Sequence, residues 1–542
     1  MKTQKMFKNF CIVIAFWVSL NWILVHEVHA QQTKPNIIVI LCDDLGIGDV
    51  SSFNPQGKIQ TPNIDALANG GMKFTDAHSS SSVCTPTRYA LLTGRYNWRT
   101  RLQKGVQGGM SPPLIAADRI TIAGMLKEHG YWTACAGKWH LGLEWQLKPN
   151  TKGFQDGIEA GAAGWNVDFS KPFLNGPTTR GFDAYFGISA SLDMVPYTFL
   201  RDDRVVDMPT VDKDFPMMLG RETGKTRRGP AAEKFEANQV LDAITNQSIQ
   251  WIDERSAASK QGQPFFIYIP FASPHTPIVP TAAWQNKSGI NHYADFVMET
   301  DAAVGRIMDK LKSEGLLENT LVLFTSDNGC SDQADFKTLQ AAGHDASAGY
   351  RGFKSKTYEG GHRVPLIAHW PATVPSGTTC HALVGLQDIY ATCASIVGHE
   401  LKINEAEDSF SFATLLKSPG NDAVRPSLVH HSLQGRFAFR SGNWKIIYWH
   451  DGGGFGDKST ANDWKEPLTI EQLQLFDMKL DPSEKRNVIQ ENVEVAKRLT
   501  AELKQLIETG SSRPNSTGKN DVRVHWVEPA LREKVEGRAG EQ

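Results

Sequence analysis

The chain has 542 residues, of which 40% are hydrophobic and 21% charged, the balance of an ordinary globular protein with room for a large core and more than one domain or subdomain. Its formal net charge is −2; the first thirty residues carry Lys2, Lys5, Lys8 and Glu27, which leaves the remainder at about −4. That balance excludes a basic nucleic-acid binder and a polybasic membrane surface.

Residues 1–30 read as a secretory signal. Three lysines precede the apolar run FCIVIAFWVSLNWILV, and Val28-His29-Ala30 offers a small-residue cleavage site. Ser19 and Asn21 interrupt the run, which falls short of the ~20 clean apolar residues of a membrane span. The expectation is an exported chain, periplasmic or secreted after cleavage near Ala30, with no span in the mature protein.

From there strands and helices alternate. KPNIIVILCDD is a continuous apolar run ending in two acids, as expected of a buried parallel strand. TPNIDALANGG reads as a helix with Thr61 as cap, Pro62 in first position and glycines at the end. CTPTRYALLTG reads as a short helix, with Pro86 suiting a first position and Gly94 a stop. ITIAGMLKEHG is another helix, followed by the strand YWTACAGK. PFFIYIPF and NTLVLFTSD are two more buried strands, separated by a helix with Val297, Val304, Met308 and Leu311 at helical spacing. The pattern predicts an α/β fold with a mostly parallel sheet between helices, occupying 31–430 after the 1–30 signal. Residues 200–235 form a polar insertion. After about residue 430 short strands, a Gly-rich turn and the amphipathic VEVAKRLTAELKQLIETG predict a smaller antiparallel sheet with a helix, a C-terminal α+β subdomain over 431–542. Its polar end, from about 510, reads as loosely ordered.

The unusual polar residues sit at strand ends, where open α/β sheets gather ligands. Asp43 and Asp44 close one strand; Asp327 and Asn328 close another. Each pair alone suits a cap or turn, but on neighbouring strands they supply hard oxygen ligands for Ca²⁺ or Mg²⁺. Lys138 and His140 follow a third strand and His275 a fourth, while Lys354 lies in a Gly-rich loop. Seven cysteines occur, without CxxC spacing, so zinc and a dense disulfide framework are not indicated. Cys84 stands at a helix start, one turn before Arg88, a place suited to an anion. A thiolate beside a hard cation is a poor chemical match, and an oxygen nucleophile fits better.

CTPTRYALLTGR resembles the C-x-P-x-R signature of the formylglycine-dependent type I sulfatases, followed by their T-G-R element. The other residues fall in that family's order, and LFDMKLDPSEKRN is similar to its closing element. The likeness is nearest to the arylsulfatase A and N-acetylgalactosamine-6-sulfatase type. It implies an alkaline-phosphatase-like fold and oxidation of Cys84 to Cα-formylglycine by a formylglycine-generating or anaerobic sulfatase-maturating enzyme. The aldehyde hydrates, one hydroxyl attacks sulfur, and the aldehyde later reforms and expels sulfate. The resemblance further implies Ca²⁺ (or Mg²⁺) on Asp43, Asp44, Asp327, Asn328 and the residue made from Cys84. Arg88, Lys138 and Lys354 would neutralise the sulfate, His275 with Lys354 would protonate the leaving oxygen, and His140 would take the second diol proton. Ser191, with Ser189 as competitor, matches a sulfate-contacting serine; Asp193, His362 and Arg351 are candidate rim residues for a sulfated carbohydrate, a 6-sulfated galactose or N-acetylgalactosamine being favoured. Two other readings share these residues: a phosphodiesterase or phosphonate monoester hydrolase of the same superfamily, and a non-catalytic sulfated-glycan binder with Cys84 unmodified.

Overall fold

The structure, a computed structural model, describes residues 34–420, 423–457 and 469–526. The expected signal sequence and the last part of the tail lie outside the described residues. The described residues from Asn36 onward form one compact unit. No helix among the described residues is long and apolar enough to cross a membrane.

The larger sheet has ten strands: β1 Asn36–Cys42, β2 Met72–Phe74, β3 Trp132–Lys138, β4 Ala184–Ile188, β5 Leu200–Arg201, β6 Arg204–Val205, β7 Phe265–Pro270, β8 Thr320–Ser326, β9 Leu366–His369 and β10 Thr378–Cys380. Their order across the sheet is β10-β2-β9-β8-β1-β7-β3-β4-β5-β6. The five central strands β8, β1, β7, β3 and β4 are mutually parallel, and antiparallel pairs begin on either side. All seven residues of β1 are buried, so its apolar run is explained by helices on both faces. Each of its Ile, Val and Leu side chains contributes about 1.5–3 kcal/mol by leaving water.

The helices that matter here are α1 Pro62–Asn69, α2 Cys84–Thr93, α3 Val240–Lys260, α4 His292–Ser313 and α5 Val493–Thr509. Thr61 precedes α1, but its hydroxyl accepts from the Ser51 amide instead of capping the helix. In α2 the helix begins at Cys84 itself, so Pro86 is its third residue; Gly94 ends it in the left-handed region, φ +64°. The Asn291 side chain caps α4 by accepting from the Ala294 amide, and Val297, Val304, Ile307 and Leu311 form its buried stripe.

The smaller sheet is antiparallel, in the order β11 Ser427–His431, β12 Phe437–Ser441, β13 Trp444–Ile447 and β14 Gln474–Asp477. It starts at Ser427, so the expected boundary at 430/431 falls inside a strand. Leu499 and Leu503 of α5 pack with Val429, Phe439 and Leu475, and Tyr96 and Trp98 join the same cluster. The chain just after α2 is thereby part of the smaller sheet's core. The polar tail is not loose as far as residue 526: Arg95 pairs with Asp521 at 2.9 Å, Arg99 donates to Asn520 at 2.9 Å, and Val524 is buried. The insertion is also ordered, with β5 and β6 as a hairpin and a second pair formed by Pro209–Lys213 and Gly229–Ala232.

One glycine pair sets the spacing beneath the site. Gly137, at φ +143°, has the Pro270 carbonyl 2.0 Å from where a Cβ would stand, and a Cβ on Gly187 would lie 1.8 Å from the Gly137 carbonyl. The AGK motif therefore lets β3 lie against both neighbours just before it delivers Lys138. Gly137→Ala is expected to destabilise the protein by about 3 kcal/mol or more, seen as a lower urea midpoint at unchanged slope. A midpoint equal to that of the parent would show that the strands can part there.

Candidate active site

Because β8, β1, β7, β3 and β4 run parallel, their carboxyl ends share one edge. Cys42 pairs with Ser326, so Asp43-Asp44 and Asp327-Asn328 emerge side by side. They are joined directly: the Asp44 amide donates to Asp327 Oδ1 at 3.3 Å and Asn328 Nδ2 donates to Asp44 Oδ1 at 2.7 Å. Lys138, the last residue of β3, donates to Asp43 Oδ2 and, at 2.5 Å, to Ser191 Oγ. Lys354 reaches Asp44 at 2.8 Å. Arg88, one turn into α2, donates through Nε and Nη2 to Asp327 Oδ2 at 3.0 and 2.8 Å and through Nη1 to the Lys138 carbonyl at 3.0 Å. Cys84, only 3% exposed, stands among these groups: its sulfur belongs to one cluster with Asp43 and Asp327 oxygens. His275 is 7% exposed, with Nε2 at 3.7 Å from Asp44 Oδ2.

Three buried carboxylates thus face three fixed cations. Burial pushes Asp43 up, but Lys138, His275 and Arg88 outweigh it and hold the carboxyl well below the usual range. Burial and the charge of Asp43 raise Asp327 to about 7 against the pull of Arg88. Lys354 is raised by Asp44 despite burial. The Cys84 thiol is pushed up to about 11 by burial, more than Lys138 and Lys354 can offset. Burial thus favours the neutral thiol of a plain cysteine, which suits a thiolate nucleophile poorly.

The donor set fits a hard divalent cation. Asp43 Oδ1 and Asn328 Oδ1 are buried without a hydrogen-bond partner among the described residues. Oxygen atoms of Asp43 and Asp327, and of Asp43 and Asp44 with a His275 nitrogen, lie within 4.8 Å of one another. Carboxylate and amide oxygens are what Ca²⁺ and Mg²⁺ take, and a cation there relieves the repulsion between Asp43 and Asp327.

The two histidines differ in which nitrogen is free. His140 Nε2 lies 2.6 Å from the Gln107 carbonyl, which only accepts, so Nε2 carries the proton and the buried Nδ1, without a partner among the described residues, carries the lone pair. Burial, Lys138 and Arg88 lower its pKa well below the ordinary value. His275 donates from Nδ1 to the Thr276 carbonyl at 2.7 Å, which leaves Nε2 as its exchanging position.

Of the competing serines, Ser191 reaches Lys138, while Ser189 holds the His140 amide through its carbonyl at 2.9 Å. Asp193 accepts from Arg227 of the insertion at 2.8 Å and keeps a buried Oδ1 without a partner among the described residues. His362 is not brought to the pocket. It is fully buried, stacked 3.6 Å from the His430 ring, 3.1 Å from His78 through Nδ1, with Nε2 3.0 Å from the Thr357 carbonyl and 2.8 Å from Lys445 Nζ. With no surface to offer, it is corrected from rim residue to core residue. Arg351 lies over the Tyr358 ring and donates to the Glu484 carbonyl, away from the pocket too.

Sequence reasoning missed Gln107, whose role is played by a backbone carbonyl that any residue would supply. It also missed the brace behind Asp44. Tyr293 donates to Asp49 Oδ2 at 2.5 Å and to the Asp44 carbonyl at 3.2 Å, and His344 Nε2 is 2.8 Å from Asp49 Oδ1. Asp49, an acid in the same loop as Asp43 and Asp44, was the available signal.

Comparison with known proteins places this arrangement in a family. The model of the Sulfatase family matches residues 35–399. The chain is 34% identical to the N-acetylgalactosamine-6-O-sulfatase of Bacteroides thetaiotaomicron, over 89% of this chain and 94% of that protein. It is 33% identical to bovine arylsulfatase A over 88% of each. A solved structure from a glycosaminoglycan-metabolism locus of Bacteroides thetaiotaomicron superposes with a TM-score of 0.73 at 32% identity, covering 88% of this chain and 99% of that one. The chain belongs to the sulfatase family, whose members hydrolyse sulfuric esters. It is an enzyme of that class, which sets aside the reading as a non-catalytic binder.

The buried histidines give the stability a definite pH dependence. Burial, helped by neighbouring positive charge, lowers His78, His140, His362 and His430, and burial lowers His431 to about 4. The unfolded chain takes up protons on these groups near pH 6.5 while the native state holds them neutral. Their contribution to stability is therefore complete above that value and declines as pH falls below it, by up to about 1.4 kcal/mol per pH unit for each group, offset in part by the raised carboxyls of Asp327 and Glu484, which favour the native state as pH falls. The urea midpoint is expected to be clearly lower at pH 5 than at pH 7, with a shallower decline in His430→Gln.

Proposed function

We propose that this chain is an exported, Ca²⁺-dependent sulfatase that removes sulfate from carbohydrate, with 6-sulfated galactose or N-acetylgalactosamine as its substrate, using a formylglycine made from Cys84. The observation that carries the reading is the convergence of Cys84, unpartnered buried oxygens of Asp43 and Asn328, and the cations Arg88, Lys138 and Lys354 at one sheet edge. The 6-sulfated substrate is supported by the likeness to the N-acetylgalactosamine-6-O-sulfatase, and export by the first thirty residues. The formylglycine-generating or anaerobic maturating enzyme would be a required partner.

Asp43, Asp44, Asp327 and Asn328 would hold Ca²⁺ or Mg²⁺, which would supply Lewis-acid polarisation, and a hydrated formylglycine at position 84 would supply an oxygen nucleophile. The chain's own groups do the rest. Lys138 and Lys354 point cationic ends at the anion and at the charge that grows as the ester bond breaks. Arg88 acts at one remove, since its bonds to Asp327 and the Lys138 carbonyl fix a carboxylate and a strand end. Ser191 orients Lys138. His275 delivers a proton from Nε2 to the departing sugar oxygen, and His140 Nδ1 receives the proton from the group at position 84.

Four measurements test this. A peptide mass is expected to show Cys84 as the aldehyde when the chain is made with its maturation enzyme. Cys84→Ala is then expected to lose sulfate release by at least about 10³-fold; phosphate release from phosphoesters exceeding sulfate release would point to the phosphodiesterase reading instead. Prolonged chelation should abolish turnover and Ca²⁺ restore it. His275→Ala is expected to slow sugar sulfates by about 10²–10⁴-fold but aryl sulfates, whose leaving groups need no proton, far less.

A further inference from the structure

Where the segment leading into Gln107 meets the chain that holds the Lys354 loop lies a cleft of about 960 Å³, at the upper end of what small-ligand sites occupy. One wall is the segment Arg101–Val106 and the other is Leu433 and Gln434, with Arg523 and Trp526 from the tail closing the end. Both walls run on into the catalytic groups. The first continues to Gln107, whose carbonyl holds His140. The second hangs on the loop of Lys354, because the Leu433 amide donates to the Ser355 carbonyl at 3.0 Å and the Gly105 amide donates to the Leu433 carbonyl at 2.7 Å.

The cleft has an apolar floor and a cationic rim. Leu102 is buried and Val106 and Trp526 are half-buried, with Trp526 held edge-on against Tyr448 at 5.5 Å. Arg101 is neutralised by Asp156 at 2.7 Å. Lys104 and Arg523 are exposed and have no acidic partner among the described residues. The Gln103 side chain ties the segments together, donating to the Arg523 carbonyl and accepting from the His525 amide.

We propose that this cleft is a subsite for the sugars next to the sulfated one, and that it selects an acidic neighbour, a uronate or sulfated residue. Lys104 and Arg523 meet the acid group, and the indole of Trp526 lies against the apolar face of a pyranose. The inference rests on the carbohydrate-sulfate reading above. It gives the enzyme a preference for the end of an acidic glycan chain over a free sulfated monosaccharide.

The test uses the full chain as Cys84→Ser, which binds without turnover, titrated calorimetrically with a tetrasaccharide of alternating uronate and 6-sulfated N-acetylgalactosamine. Lys104→Ala/Arg523→Ala is expected to weaken binding about tenfold, with Lys104→Arg/Arg523→Lys restoring it. The carboxyl-reduced tetrasaccharide should bind both proteins equally. In the active enzyme the alanine pair should leave kcat/KM on a sulfated monosaccharide unchanged. Equal binding of the acidic tetrasaccharide to parent and double variant would overturn the proposal. So would full-length protein blind to the uronate together with tight uronate-dependent binding after removal of 527–542, since the occupant is then the chain's own tail. Charge-dependent binding without hydrolysis of any sulfated sugar would keep the subsite and reject the substrate assigned under the proposed function.

Discussion

Everything at the site depends on the parallel pairing of β1 with β8. The register that sets Cys42 opposite Ser326 makes two acidic pairs neighbours across a single strand spacing. In a pleated sheet a slip of one residue turns every side chain to the other face, so β1 out of step by one would exchange Asp43 for Asp44. These two acids do different work, Asp43 facing Lys138 and Asp44 facing Lys354 and Asn328. The buried apolar residues of β1 therefore act on the chemistry indirectly, by making only one register affordable.

The electrostatics at that edge argue for function over stability. Asp43, Asp44, Asp327, Arg88 and Lys138 are all essentially without solvent contact. Desolvating so many charges costs several kcal/mol per ion, and mutual attraction returns that cost only where geometry is very good. Here geometry leaves Asp43 Oδ1 and Asn328 Oδ1 unanswered. A network arranged for stability alone would spend those atoms on donors. One arranged to receive a cation and an anion together keeps them open, and the matched acids and bases become net positive once a divalent ion enters.

Much of this was legible in the sequence because the chemistry sits at the ends of strands with strong apolar signatures. The runs before Asp43 and Asp327 and the strand before Lys138 announce both the element and its polar end. Ser427–His431 was not expected as a strand, since HH within a short run gives no clear alternation, and the packing of His430 against His362 appears only in three dimensions. His362 was misread for the same reason: a histidine beside a Gly-rich catalytic loop looks exposed until the smaller sheet covers it. Gln107 was invisible because its contribution is a carbonyl, which carries no side-chain identity.

The division between sheet and loops bears on how substrate choice is written in such a molecule. The polar residues at the strand ends are fixed by register and by close glycine contacts at Gly137 and Gly187, so they tolerate little change. The surroundings of the pocket come from elsewhere: Asp193 is answered by Arg227 of the insertion, and the neighbouring cleft is closed by a tail that Arg95 and Arg99 tie down. Arg95 and Arg99 follow directly on the helix that begins with Cys84. The same stretch of chain therefore places Cys84 at one end and anchors a wall of the neighbouring cleft at the other. A change in the tail would reach that cleft while the strand ends stay in register.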